Sequence, residues 1–295
     1  MRKFEYKKLN AFSSGSSSGN PAACLYLKEG ELLSDAEMLS IAKEHKGFVS
    51  EVIYCTPLTE ATYQLRYYSS EREVEFCGHG TIACIYELLQ SNDQLRSLPE
   101  ITIITNRGKL KVYNELALLD AIFITAPEPL FLPVSSQLNN IADNLRIAAE
   151  VIDRNYSIDL IDAGLRTLIL PICTLKDIVE INPNEQQLKE FCISYGIDII
   201  LVFTMDISCK ENKARTRVFA PTFGYLEDPA TGSGNSAFGY YMLKHNLWNG
   251  EAISIEQNGV IDNYNVVKLK TLDSKVLFGG NAIVRIDGEY LLNKE

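Results

Sequence analysis

A glycine-rich turn that leads into a helix occurs twice in this chain, and this repeat is the feature that most constrains its fold. Residues 77–89 and 231–243 share glycines, an alanine, an aromatic residue and a leucine at identical spacing. The matching pairs are Gly78/Gly232, Gly80/Gly234, Ala83/Ala237, Tyr86/Tyr240 and Leu89/Leu243. Upstream, residues 66–68 (RYY) correspond to residues 217–219 (RVF). Duplication explains the pattern better than chance, so we expect two similar halves, each with a glycine turn entering a helix.

Turns of this kind are suited to binding an anion. Glycine lacks a Cβ, so the backbone can approach a ligand closely, and the first amides of a helix are unpaired donors with a partial positive charge. Two copies facing one buried cleft would hold an anionic substrate from both sides. Alternatively, the glycines only permit tight turns and close helix packing. The matched pair favours the functional interpretation.

Hydrophobic periodicity predicts an α+β chain without a regular strand–helix alternation. Strands are expected near residues 4–9, 52–55, 63–68, 73–76, 101–105, 110–113, 121–125, 167–170 and 199–204. Helices are expected near 34–46, which begins with a capping box, and near 81–90, 137–149 and 185–195. The proline-rich run 126–133 indicates the domain linker. We therefore expect an N-terminal domain over residues 1–126, with or without the C-terminal tail, and a C-terminal domain over residues 127–295.

Charge and composition exclude several classes of protein. The net charge is −10 and the pI is near 5.0, and no cluster of Lys and Arg offsets the repulsion of a polyanion, so no nucleic-acid binding is expected. The chain lacks an apolar stretch long enough for a membrane span and begins without a signal-peptide pattern, so we expect a cytoplasmic protein with no membrane contact. The seven cysteines are scattered without a C-x-x-C spacing, which indicates neither disulfides nor a metal site.

Both turns also fit the dinucleotide-binding pattern G-x-G-x-x-A, and Glu256 follows the second turn by about twenty residues, as a nucleotide fold requires. The residues before that turn, Glu227-Asp228-Pro229-Ala230, contain two acids and a proline. They are unsuited to the buried strand that feeds a Rossmann turn. A nicotinamide or flavin cofactor is therefore not expected.

Four motifs resemble those of the phenazine-biosynthesis PhzF-like family in order and approximate spacing. They are Gly19-Asn20-Pro21-Ala22-Ala23, Ser50-Glu51, Phe76-Cys77-Gly78-His79-Gly80-Thr81 and Glu227-Asp228-Pro229-Ala230-Thr231-Gly232-Ser233. The resemblance covers nearly the whole chain. It implies a diaminopimelate-epimerase-like fold, in which each of two domains wraps a mostly antiparallel or mixed sheet around a central helix, with the active site in the cleft between them. Gly80, where the family often has alanine, and Gly234-Asn235, where an Ala-His pair is common, depart from the family pattern.

The resemblance also implies roles for individual residues. Glu51 corresponds to the proton-transferring carboxyl group, and His79 and Asp228 correspond to residues that position the substrate. Ser233 and the amides of Gly78 and Gly232 correspond to the groups that bind the substrate carboxylate. The other predicted substrate-binding residues belong to the same motifs and turns: Asn20, Cys77, Gly80, Thr231 and Gly234. No metal or organic cofactor is implied, and we expect a small anionic substrate and a homodimer.

General chemistry supports part of this assignment. Burial of Glu51 at the start of an apolar strand would raise the pKa of its carboxyl group from about 4.3 toward the range of about 6–7 that suits a general acid/base. His79 lies in the first turn, where the helix N-terminus should lower its pKa and keep it neutral. The residues alone leave open a solvated strand-end charge for Glu51 and a turn-forming role for Asp228.

Cys77 and Thr231 occupy matching places in the two turns. Epimerases of this fold that invert a carbon without a cofactor use two thiols, one on each face of the substrate. A threonine hydroxyl has a far higher pKa than a thiol and is a poor replacement for the second one. The sequence therefore favours an isomerase that moves a proton with a single glutamate. The alternatives are a two-base amino-acid epimerase or racemase and a metabolite-binding protein without catalysis.

Overall fold

The computed structural model describes residues 1–293. The chain divides into two compact units. The first comprises Met1–Ser13, Ser18–Thr125 and the segment from Gly279 onward, and the second comprises Ser14–Ser17 and Ala126–Phe278. The strands are β1 (Arg2–Ala11), β2 (Asn20–Tyr26), β3 (Val52–Thr59), β4 (Thr62–Tyr68), β5 (Glu73–Val74), β6 (Glu100–Thr105), β7 (Gly108–Asn114), β8 (Ile122–Thr125), β9 (Leu130–Leu132), β10 (Asp159–Asp162), β11 (Arg166–Pro171), β12 (Ile199–Thr204), β13 (Ala214–Phe219), β14 (Glu227–Asp228), β15 (Ile253–Gln257), β16 (Asn265–Leu272), β17 (Lys275–Gly280) and β18 (Ala282–Leu292). The helices are α1 (Asp35–Glu44), α2 (Gly78–Ser91), α3 (Asp93–Arg96), α4 (Leu116–Leu119), α5 (Leu138–Leu145), α6 (Leu175–Glu180), α7 (Glu185–Tyr195) and α8 (Gly232–Lys244).

The first unit is a mixed sheet around the helix α2. Its strand order is β18-β1-β2-β3-β4-β6-β7-β8, and within this order only the β2–β3 and β4–β6 neighbours are parallel. Helix α2 is buried on most sides and packs against β1, β2, β3, β8 and β18. Because strands on several sides cover its buried residues 80–86 and Leu89, α2 is the central helix of this unit. Helix α1 covers a separate apolar cluster on β1–β4.

The second unit repeats this arrangement around α8. Its strand order is β9-β10-β11-β12-β13-β15-β16, and within this order only the β11–β12 and β13–β15 neighbours are parallel. Helix α8 is also buried on most sides and packs against β10, β11, β12 and β16. The helices α5, α6 and α7 contribute to an apolar cluster with β10–β13. This α+β architecture, with a sheet around a central helix in each unit, is the predicted one.

The duplication extends from the glycine turns to the sheet topology. The run β2-β3-β4-β6-β7 pairs parallel, antiparallel, parallel and antiparallel, and β11-β12-β13-β15-β16 pairs in the same way. The short strands β5 and β14 each pair with the last two residues of the strand before them, β4 and β13. The two units therefore correspond strand for strand in this region.

An arginine–glutamate pair fastens each of these short strands. Both Arg66 Nε and Nη2 donate to Glu73 at 2.8 Å. In the second unit, Arg217 Nε and Nη2 donate to Glu227 at 3.0 and 2.8 Å. Such bidentate pairs are stronger and more directional than a single ion pair, so they hold the approach to each glycine turn in one geometry.

Several element boundaries differ from the predictions. The strand predicted over 73–76 is reduced to β5, and the helix predicted at 81–90 already begins at Gly78. The helix predicted over 137–149 ends at Leu145, because Arg146 adopts a left-handed conformation with a φ of 56°. The proline-rich run predicted as a linker contains β9, which pairs with β10. Within residues 1–293, no helix is long and apolar enough to cross a membrane.

Candidate active site

The first glycine turn is held at the N-terminus of α2 by its own side chains. Cys77 is the N-cap residue, and its Sγ accepts a hydrogen bond from the amide of Gly80 at 3.3 Å. The Thr81 hydroxyl donates to the Cys77 carbonyl at 2.8 Å and lies 2.7 Å from the hydroxyl of Tyr67 on β4. The thiol therefore has a capping role in addition to any chemical role.

Strand β3 packs directly against this turn. A Cβ added at Gly80 would lie 2.7 Å from Ile53 Cδ1 and 3.0 Å from Cys77 Sγ. These distances are shorter than an ordinary carbon contact of about 3.5–4.0 Å. Gly80, one of the departures from the family pattern, thus allows the close approach that brings Glu51, just before β3, to the turn.

Glu51, Cys77 and His79 form a compact group, which we call the Glu51–Cys77–His79 cluster. Glu51 Oε2 lies 3.3 Å from His79 Nε2 and 3.6 Å from Cys77 Sγ. Cys77 Sγ lies 3.5 Å from His79 Nδ1 and 3.8 Å from His79 Nε2. The side chains of Glu51 and His79 are 20% and 13% exposed. Each is therefore partly desolvated while still reachable from solvent.

Burial lowers the pKa of His79 to about 4, and the nearby Pro21 carbonyl has a smaller effect in the opposite direction. The predicted direction is thus the one found, but desolvation, and not the helix N-terminus, is its main cause. His79 is neutral at physiological pH and is suited to hydrogen bonding. Because Pro21 lies beside His79, the Gly19–Ala23 motif lies next to the cluster. The adjacent Asn20, at the start of β2, is 1% exposed.

The duplication shows what the second unit has in the place of Glu51. Val52 pairs with Tyr68, and Ile200 pairs with Phe219. Because Tyr68 and Phe219 correspond in the repeat, Glu51 corresponds to Ile199. A Cβ at Gly234 would lie 3.3 Å from Ile199 Cδ1, so this isoleucine packs against the second turn. The second unit has an apolar side chain where the first has a carboxyl group.

The second glycine turn is fixed by a polar network around Thr231. The Thr231 amide donates to Gln257 Oε1 at 2.9 Å, and Gln257 Nε2 donates to Thr231 Oγ1 at 3.1 Å. Asn235 Nδ2 donates to the same Gln257 oxygen at 2.7 Å and to the Thr231 carbonyl at 2.9 Å. Asn235, the other departure from the family pattern, therefore supports the turn. Gln257 was missed by sequence reasoning, because it has no counterpart in the quoted motifs.

Asp228 also bonds to this network. Its Oδ2 accepts a hydrogen bond from Thr231 Oγ1 at 2.6 Å. The side chains of Asp228 and Ser233 are partly exposed. The amides of Gly232 and Ser233 belong to the first turn of α8, where backbone donors have no acceptor within the helix. The predicted binding groups of the second motif thus cluster at one helix end, and their roles stay predictions.

Glu256 has a structural role and is not available to bind the ribose of a dinucleotide. It is fully buried, pairs with Arg215 at 3.1 Å, and accepts the amides of Ser208 and Cys209 at 3.1 and 2.8 Å. The second turn is preceded by β14, a two-residue antiparallel strand, and not by a buried parallel strand. Neither feature fits a Rossmann turn.

Comparison with known proteins gives a consistent picture. The family model described as phenazine biosynthesis-like protein matches residues 9–288. An uncharacterized isomerase of Bacillus subtilis, YfhB, is 28% identical over 98% of this chain and 96% of its own length. The crystal structure of a Bacillus anthracis phenazine biosynthesis protein of the PhzF family has a TM-score of 0.85 at 22% identity, covering 99% of this chain and 100% of that one. A predicted epimerase from Pseudomonas aeruginosa has a TM-score of 0.75 at 19% identity, covering 98% and 100%.

Proposed function

The chain belongs to the phenazine biosynthesis-like family, and on that premise we propose that it is a cofactor-independent isomerase in which Glu51 is the single proton-transferring group. The observation that carries this proposal is the asymmetry of the duplicated site. In the first unit, Glu51 lies within hydrogen-bonding distance of His79. In the second unit, the position that corresponds to Glu51 is occupied by the apolar Ile199. A general acid/base needs a carboxyl group that is accessible and partly desolvated, and the 20% exposure of the Glu51 side chain supports this role.

The residues at the two helix N-caps support transfer by one base. Two-base inversion requires a group of suitable pKa on each face of the substrate carbon. Cys77 supplies a thiol, but Thr231 supplies a hydroxyl that already donates to Asp228. A hydroxyl of high pKa is a poor acid/base at neutral pH. Glu51 then takes a proton from an activated carbon of the substrate and returns it to another carbon on the same face.

A small carboxylate is the substrate class that fits the helix ends. The first-turn amides of α2 and α8, at Gly78 and Gly232, are donors with a partial positive charge. The partly exposed Ser233 hydroxyl adds a side-chain donor beside them. In this proposal Asp228 accepts a hydrogen bond from an amine or hydroxyl of the substrate, and neutral His79 also hydrogen-bonds the substrate.

A screen followed by isotope exchange tests the function. Small cyclic and amino-acid-derived carboxylates are first tested for an increase in melting temperature. Those that bind are then incubated with the protein in D2O and followed by NMR. We expect deuterium incorporation and isomerisation for at least one binder, and Glu51→Gln should slow both by about 10²–10⁴-fold.

The matched control is Glu71→Gln, because Glu71 is a solvent-exposed carboxylate paired only with groups at the surface. It should retain wild-type rates. Tight binding with no exchange would indicate a metabolite-binding protein. Full activity in Glu51→Gln would show that another group moves the proton.

A further inference from the structure

The Glu51–Cys77–His79 cluster combines the three kinds of donor atom that bind zinc in proteins: a carboxylate oxygen, a thiolate sulfur and an imidazole nitrogen. With Zn–N and Zn–O bonds of about 2.0–2.1 Å and a Zn–S bond of about 2.3 Å, tetrahedral angles place the nitrogen and oxygen about 3.3 Å apart. The same bond lengths place sulfur about 3.6 Å from either of them.

The cluster has nearly the required spacing. Glu51 Oε2 and His79 Nε2 are 3.3 Å apart, and Glu51 Oε2 and Cys77 Sγ are 3.6 Å apart. Cys77 Sγ and His79 Nε2 are 3.8 Å apart, about 0.2 Å more than the ideal edge. The three edges of the triangle therefore match one face of a tetrahedral site to within about 0.2 Å.

The surroundings of the donors also suit a metal. The Pro21 carbonyl lies close enough to the His79 ring to raise its pKa, and a backbone carbonyl is a common partner that orients a metal-binding imidazole. The Gly80 amide donates to Cys77 Sγ, and the N-terminus of α2 favours a negatively charged ligand there. Sulfur, nitrogen and oxygen donors together favour zinc over magnesium or calcium, which prefer oxygen alone.

We propose that the Glu51–Cys77–His79 cluster binds a zinc-type divalent cation, and that this cation inhibits proton transfer. The three side chains occupy three corners of the tetrahedron, and water or another small ligand occupies the fourth. On binding, Cys77 releases its thiol proton to solvent and forms a sulfur–metal bond. The inhibitory part rests on the proposed function: Glu51 gives the metal the carboxylate that would otherwise accept the substrate proton, so metal binding and catalysis compete for this side chain.

Cobalt(II) provides a direct measure of the site, because thiolate coordination produces an absorption band by charge transfer from sulfur to the metal. The purified protein, stripped with a chelator, is titrated with Co²⁺ alone. We expect the band to saturate at one equivalent and to disappear when Zn²⁺ is added. The control is Cys173→Ser, because Cys173 is an exposed thiol far from the cluster in sequence, and its loss should leave the band unchanged.

Variants of the cluster make the proposal falsifiable. Cys77→Ser should abolish the charge-transfer band, and His79→Gln should weaken Co²⁺ binding by at least about 100-fold, since loss of even an outer partner costs about 10–100-fold. Circular dichroism shows whether each variant folds, and if Cys77→Ser does not, Glu51→Gln is used with the same expected loss of affinity. A band that is missing from the wild type, or that persists in Cys77→Ser, would overturn the proposal.

Inhibition is measured separately, with Zn²⁺ added to the isomerase assay and then removed by a chelator. We expect reversible loss of activity with the same affinity as the spectroscopic titration. Activity that is unaffected at saturating Zn²⁺ would refute the inhibitory part. The Co²⁺ titration needs no substrate, so a negative result refutes the metal site and says nothing about the catalytic role of Glu51. Conversely, an active Glu51→Gln variant would refute the catalytic role and say nothing about metal binding by the wild type.

Discussion

Replacing Gly232 by alanine should destabilise the second unit, whereas the same change two residues later should not. A Cβ at Gly232 would lie 2.4 and 2.5 Å from Cδ2 and Cε2 of Phe278, a side chain that is 3% exposed. Ordinary carbon contacts are about 3.5–4.0 Å, so the ring would have to move by about 1 Å within a packed core. Overpacking of this kind costs about 1–3 kcal/mol, and the higher helix propensity of alanine returns at most about 1 kcal/mol.

Gly234→Ala is the matched control, because its Cβ would lie 3.3–3.4 Å from its neighbours. Its free energy of unfolding should lie between about 0.5 kcal/mol below and about 1 kcal/mol above that of the wild type. Urea unfolding followed by Trp248 fluorescence measures the difference, because Trp248 is the single tryptophan, is 7% exposed and lies in the second unit. Equal midpoints for the two variants would show that Phe278 does not restrict this turn.

Two further predictions concern stability. Arg217→Met should lower the free energy of unfolding by about 3–5 kcal/mol, because Glu227 and three backbone carbonyls would lose the guanidinium as their hydrogen-bond donor. Arg66→Met should lower it less, because the Arg66–Glu73 pair is more exposed. Equal losses of stability in urea unfolding would contradict this prediction. The pKa of His79 is lowered to about 4 from an unfolded value near 6.5, so between these values the unfolded chain binds more protons and stability falls as the pH falls. Unfolding is followed by circular dichroism in chelator-containing buffer. The free energy of unfolding of the wild type should fall by about 2 kcal/mol from pH 7 to pH 5, and that of His79→Gln should lack this fall. The same pH dependence in both proteins would refute the buried neutral imidazole.

Local patterns predicted the elements of the fold well where the signal was short-range. Ser34 and Glu37 form the predicted capping box, and α7 has the predicted bounds. Boundaries that depend on tertiary contacts were less accurate. The end of α5 depends on the left-handed conformation of Arg146, which no residue pattern signals.

The candidate site was predictable only in part. The paired turns and the motif residues were found from the repeat and the resemblance, because their spacing is local. The correspondence of Glu51 with Ile199 depends on strand pairing, which a single sequence does not specify. Gln257 is likewise brought to Thr231 by the sheet, from 26 residues away. The spacing of the proposed metal site depends on Glu51 lying beside the turn that carries Cys77 and His79, and the sequence alone predicted no metal site.

The most direct test of the single-glutamate account compares Glu51→Gln with Cys77→Ser on the same substrate in D2O. Initial rates give kcat, and mass spectrometry of the earliest product gives the origin of the transferred hydrogen. The account predicts that Glu51→Gln lowers kcat by about 10²–10⁴-fold, whereas Cys77→Ser stays within about tenfold of the wild type. It also predicts that early product retains part of the substrate's own hydrogen, because one carboxyl group removes and returns it. A Cys77→Ser variant as inactive as Glu51→Gln would contradict the account and indicate a two-base mechanism.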